Sequence, residues 1–172
     1  HNPTLALFRN NIAIGGTGGQ PRDGLHGHYS SGTGLAASFL QASQTCDMDY
    51  NGYGTCGTPF RGQIGKAIFS SLAELKKLTS EKHAVKVDMS IFKPGVEFPD
   101  PAIPEREPAD LRLAAGSAAV DAGEFIPGIN DGFEGSAPDL GAYELGEKLP
   151  HYGPRAPGVD EETDWGIEEK GK

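Results

Sequence analysis

Residues Asp110–Gly123 read DLRLAAGSAAVDAG, and shortly afterwards Ala137–Glu144 read APDLGAYE. Neither stretch has a helical period. Apolar residues come singly or in pairs and are cut by Gly116, Gly123 and Gly141. That punctuation predicts short strands at Leu111–Leu113, Ala118–Asp121 and Asp139–Glu144, joined by tight corners that glycine permits. The same pattern continues outward. Thr4–Ile14 (TLALFRNNIAI) reads as one or two short strands bent at Asn10-Asn11, and His83–Asp88 alternates as a strand. The interval 35–45 is open between a strand and a helical turn. Ser70–Leu78 is the exception: Leu72, Leu75 and Leu78 share one side, Ser70 or Ser71 can cap, and Lys76 and Lys77 suit the C-terminal end of a helix. The Pro-rich run 94–108 reads as an extended connector.

The whole chain has 172 residues, with 25 Gly and 13 Pro. Such frequent breaking excludes a helical bundle or coiled coil. Leu, Ile, Val and Phe make up about a fifth of the residues, so any core is thin. Strands that each bury few residues depend on their neighbours, which points to an all-β solenoid whose coils support one another. Asn10 or Asn11 at a bend can stack its amide on an Asn of the next coil. The formal charge is −9, and residues 101–172 carry all of the excess. That balance argues against nucleic acid as a partner. No apolar run approaches the roughly 18 residues of a membrane span. The chain opens on His1-Asn2-Pro3, without Met, and reads as a piece of a longer protein.

The two opening phrases resemble the closing module of secreted right-handed parallel β-helix proteins of the pectate-lyase-like kind. That module runs Leu-x-x-Gly-Ser-Pro-Ala-Ile-Asp-Ala-Gly and then Asp-Ile-Gly-Ala-Tyr-Glu; Ala118 stands here where the family usually has Pro. Arg9-Asn10-Asn11-Ile12 is similar to a late coil, and Asp49-Tyr50-Asn51-Gly52-Tyr53 to the Asp-Tyr-Asn coil near the end of such domains. The resemblance implies a right-handed parallel β-helix. Residues 1–149 would supply its C-terminal coils, and 150–172 a Pro/Gly-rich, acidic tail or cap. It implies partner coils upstream, in the same or another chain. It implies a secreted protein, in the extracellular space, the periplasm or at the cell surface. The implied activity is binding or degradation of a polysaccharide, of lyase or glycoside hydrolase type, with catalytic residues largely outside this chain. The alternative is a non-catalytic structural, adhesive or filament-forming β-helix.

Several residues carry candidate chemistry. Cys46 and Cys56 close a Gly-rich loop and are expected as a disulfide, which fits an oxidising compartment; two separate thiols are the other reading. Asp47, Asp49 and Asn51 before Gly52 resemble the first half of a Ca2+ loop, but Thr58 stands where the bidentate acid belongs. The other reading is an Asx-turn loop. His26 and His28, with Arg22 and Asp23 nearby, are the acid/base candidates, and His83 ranks below them. Tyr29 and Tyr53 are the candidates to stack on sugar rings, with Tyr50 and Tyr152 behind them. Asp121, Asp131, Glu134, Asp139 and Glu144 form a second acidic group. The resemblance gives Asp121 and Asp139 a structural role.

Overall fold

A computed structural model of the chain describes residues 6–18, 33–40, 46–99 and 109–148. The regular structure among the described residues is mostly strand with little helix, which is compatible with the all-β class. The strands are β1 (Leu7–Arg9), β2 (Ile12–Ile14), β3 (Ala37–Phe39), β4 (Asp47–Asp49), β5 (Gly52–Gly54), β6 (Gly62–Ile64), β7 (Ala67–Phe69) and β8 (Val85–Val87). They make three small, open sheets in the orders β1-β4, β2-β5-β8 and β3-β6-β7. Every pairing is parallel except the β6–β7 hairpin.

The register comes from recurrence of the chain. Arg9 lies opposite Asp49, Ile12 opposite Gly52, and Gly52 in turn opposite Val85. Between successive strands the chain turns on a single left-handed residue, Asn10 (φ 59) from β1 to β2 and Tyr50 (φ 54) from β4 to β5. Asparagine tolerates that conformation; a bulky tyrosine there is strained, at a cost of about 1–3 kcal/mol. The two corners are stitched together by Asn10 N–H to the Tyr50 carbonyl (2.9 Å) and Gly52 N–H to the Asn11 carbonyl (2.7 Å). The expected amide stack is present: Asn11 Nδ2 donates to Asn51 Oδ1 at 3.0 Å.

The middle sheet separates two apolar clusters. On one face Ala13 and Tyr53 join Met48, Phe60, Ile64, Phe69 and Leu75. On the other, Ile12, Ile14, Val85 and Val87 meet Ile91, Leu113, Ala119 and Leu140. The central strand β5, only three residues long, is thus buried on both sides, which offsets the thin apolar content. The expected helix is α1 (Leu72–Leu78): Ser71 caps it by accepting from Glu74 N–H, and Leu75 is fully buried. The open interval 35–45 resolves as β3 at Ala37–Phe39. His83–Asp88 contributes β8 over Val85–Val87.

The three strands expected in the closing phrases are not strands. Leu113 makes one antiparallel bridge to Phe92, and the rest is turn. Gly116 (φ 74), Asp121 (φ 54) and Gly141 (φ 95) leave the extended region and break any ladder. Side chains hold this segment instead. Asp121 Oδ1 accepts from Ser136 and Ala137 N–H, and Asp139 accepts from Asp121 N–H (2.7 Å) and Leu145 N–H (2.7 Å). Leu140 N–H reaches the Ala119 carbonyl and Gly141 N–H the Asn10 carbonyl, which fastens the segment over the second cluster. The tail at 150–172 lies outside the described residues.

Candidate functional site

The polar side chains converge at the corner that links β1 to β2 and β4 to β5. Parallel register puts Tyr50 over His83, two positions before the Gly52–Val85 pair. The two rings stack at 4.2 Å with an interplanar angle of 13°. His83 is held at two points: its N–H donates to Asp49 Oδ1 (2.7 Å), and its ring Nδ1 lies 2.8 Å from Asp49 Oδ2. Asp49 also accepts from Tyr50 N–H. Burial pushes the Asp49 carboxyl up, but the hydrogen bonds from His83 and Tyr50 outweigh it and leave the group below the usual carboxylate range. An ionised Asp49 requires Nδ1 of His83 to be the donor, so in the neutral ring Nε2 carries the lone pair. The His83 side chain is 57% exposed, and Nε2 has no hydrogen-bond partner among the described residues. The arrangement is a carboxylate-oriented imidazole facing solvent, able to take up a proton.

Arg9 covers the other side of the corner. Its guanidinium lies 5.8 Å from the Tyr50 ring centroid, pairs with Asp47 (2.6 Å) and also with Glu124. Beyond Arg9 a cavity of about 480 Å3 opens between the Asn10-Asn11 corner and the closing segment, with Ile126, Ile129, Phe133, Glu144 and Glu147 in its wall. Asn10 anchors that segment by exchanging hydrogen bonds with the Glu124 backbone.

Inward from the dyad runs a buried polar chain. Asn51 Nδ2 donates to the Asp49 carbonyl and to Glu81 Oε1 (2.9 Å), and the Tyr53 hydroxyl donates to the same Glu81 oxygen (2.5 Å). Glu81 is wholly buried, and its Oε2 has no partner. Burial, with the nearby Asp49 charge, raises the Glu81 carboxyl above its usual range despite those hydrogen bonds. The Tyr53 hydroxyl is pushed up as well, by burial and by Glu81. The consequence for stability has a definite sign. Below pH 4.5 both folded and unfolded chains hold the Glu81 proton; above it the unfolded chain releases the proton and the folded chain keeps it. Stability from this group is therefore lost as pH rises from 4.5 through the raised folded value. Asp49 acts oppositely, losing its contribution as pH falls below 3.8. Glu81→Gln copies the protonated acid, so its melting temperature should decline less than the parent's between pH 4.5 and 8. Parallel melting curves for the two proteins over that range would refute a proton held on Glu81.

The sequence-derived candidates fare unevenly. His26, His28 and Tyr29 lie outside the described residues. Tyr53 is fully buried with its hydroxyl on Glu81, so its ring cannot stack on a sugar. Asp47, Asp49 and Asn51 do not converge on one cation: Asp47 turns to Arg9, Asp49 to His83, and Asn51 into the interior. Among the described residues no three His, Cys, Asp or Glu side chains gather as a metal site. The expected Cys46–Cys56 bridge is not formed among the described residues. Cys46 enters β4 and packs on the first cluster, whereas Cys56 leaves β5 beside Gly16. The Tyr50 corner sends β4 and β5 into different sheets, so the residues that flank them do not lie along one ladder. Burial, then the Asp88 charge, raises the Cys56 thiol.

His83 and its partner Asp49 were not legible as a pair, because they stand far apart in sequence. Aligning Asp49-Tyr50-Asn51-Gly52 with Lys82-His83-Ala84-Val85 would have revealed them, since stacked passes place equivalent positions in contact. No helix among the described residues is long and apolar enough to cross a membrane. Comparison with known proteins gives no match to any family model, curated protein or solved structure.

Proposed function

We propose that the chain supplies the last coils and cap of a right-handed parallel β-helix outside the cytoplasm, and that this β-helix binds or degrades a polysaccharide. The parallel register of β1-β4, β2-β5-β8 and β3-β6 supports the coil reading, as does the amide stack of Asn11 on Asn51. The observation that carries the functional reading is the Asp49–His83 dyad beside Tyr50 and Arg9, at a corner where the His83 ring reaches solvent. Stacked short strands repeat a surface at regular intervals, which suits a polymer of repeated sugars. His83 Nε2 serves as the proton acceptor, and Asp49 fixes its tautomer and stabilises the imidazolium that forms.

The test is a screen of the protein against uronate, neutral and amino-sugar polymers. Bound polymer, unsaturated product by absorbance and newly formed reducing ends are read separately. Degradation that drops about 100-fold in His83→Ala with binding retained supports the reading. Binding without turnover leaves a polysaccharide-binding coil. A protein that neither binds nor cleaves any of the three classes overturns the proposal and leaves a structural or adhesive role.

A further inference from the structure

We infer that the cavity beside Arg9 is a subsite for an amine-bearing sugar residue, such as glucosamine, within the polymer. The inference rests on the polysaccharide reading and narrows its substrate class. At about 480 Å3 the cavity falls within the ~300–1,000 Å3 of small-ligand sites. Its apolar wall is available: Ile129 is 72% exposed and Phe133 half-buried, and Phe133 packs at 5.9 Å on Phe125, itself 48% exposed. An apolar wall with an aromatic ring meets the carbon face of a sugar.

Charge decides which sugar. Among the described residues the only cation in the wall is Arg9, and its guanidinium is already shared between Asp47 and Glu124. The Glu144 carboxylate accepts from Asp139 N–H, and among the described residues no ion pair reaches Glu144 or Glu147. Burial raises the Glu144 carboxyl, and the neighbouring Asp139, Glu147 and Asp121 charges add to that shift, as expected of carboxylates lacking a counter-charge. A uronate would add another negative group to this wall. An ammonium group would neutralise it while the ring covers Phe133 and Ile129. Asp139 is committed to two separate backbone N–H groups, one on each oxygen, whereas Glu144 shares the single Asp139 N–H between its two oxygens.

The experiment is calorimetric titration with glucosamine oligomers, their N-acetylated counterparts, galacturonate oligomers, neutral glucose oligomers and an oligolysine of matched charge. Glucosamine oligomers should bind, and N-acetylation, which removes the charge and keeps the ring, should weaken binding at least tenfold. Glu147→Gln, at an exposed position with no side-chain bond to lose, should weaken it about tenfold, one charge-assisted contact. Preference for uronate or neutral oligomers would overturn the amine subsite while leaving polysaccharide binding intact. Equal binding of oligolysine would overturn it in favour of a site for basic peptides. No binding to any sugar would remove both readings together.

Discussion

Asn51→Ala should cost the fold about 4 kcal/mol, the largest loss expected from a single side chain in this protein. Asn51 is 1% exposed, and its amide is fully engaged. Its Oδ1 accepts from the backbone N–H and the side chain of Asn11; the two hydrogens of its Nδ2 are shared among the carbonyls of Phe8 and Asp49 and Glu81 Oε1. Alanine would strand these partners at a junction where three passes of the chain meet. Each buried group left without a partner costs about 1–3 kcal/mol, and no water-sized substitute can restore all of them at once. Asn51→Asp should be equally harmful, since it removes the donors and sets a carboxylate against Glu81. Asn11→Ala should cost less, because Asn11 is only half-buried and makes fewer bonds. Urea unfolding of the three variants measures the differences. An Asn51→Ala loss below about 1 kcal/mol would sink the view that amide stacking holds the corners together.

Gly54→Ala should cost more than about 3 kcal/mol, or prevent folding altogether. The cause is backbone contact rather than backbone conformation, since Gly54 does not lie among the left-handed glycines. A Cβ there would sit 1.9 Å from the Val87 carbonyl oxygen and 2.8 Å from its carbon. Neither atom can swing aside as a side chain would. β5 and β8 would have to separate, and the apolar contacts of Val87 with Ile91 and Leu140 would open with them. Gly57→Ala is the control: nothing lies within 4 Å of its Cβ, and only its φ of 75 resists, worth about 1–2 kcal/mol. Thermal melts of both variants give the ordering. Gly54→Ala melting at or above Gly57→Ala would contradict the close approach of the two strands.

The inferred subsite, the surface dyad and the buried Glu81 are linked through two residues. Arg9 joins the cavity to Tyr50, and Asn51 joins Asp49 to Glu81. A change at Glu81 reaches the dyad through the amide of Asn51 and through the charge of Asp49. Glu81→Gln keeps an acceptor for that amide and should leave dyad geometry unchanged.

Local chemistry fixed whatever depends on neighbours in the chain. The Ser71 cap and leucine spacing of α1, the bend at Asn10-Asn11, the alternation of β8 and the scarcity of core were all legible from short stretches, because propensity and capping act over a few residues. Only the tertiary structure decided which stretches lie side by side. It placed His83 beneath Tyr50, buried Tyr53 on Glu81, parted Cys46 from Cys56 and held the closing phrases as turns. Each of these depends on the offset between successive passes, which changes from pair to pair: Ile12 meets Gly52, but Ala37 meets Gly62 and Gly52 meets Val85. Three-residue strands carry too few side chains to announce that offset by pattern. It is set by packing of whole passes against one another, where the free energy of a contact is shared across residues far apart in sequence.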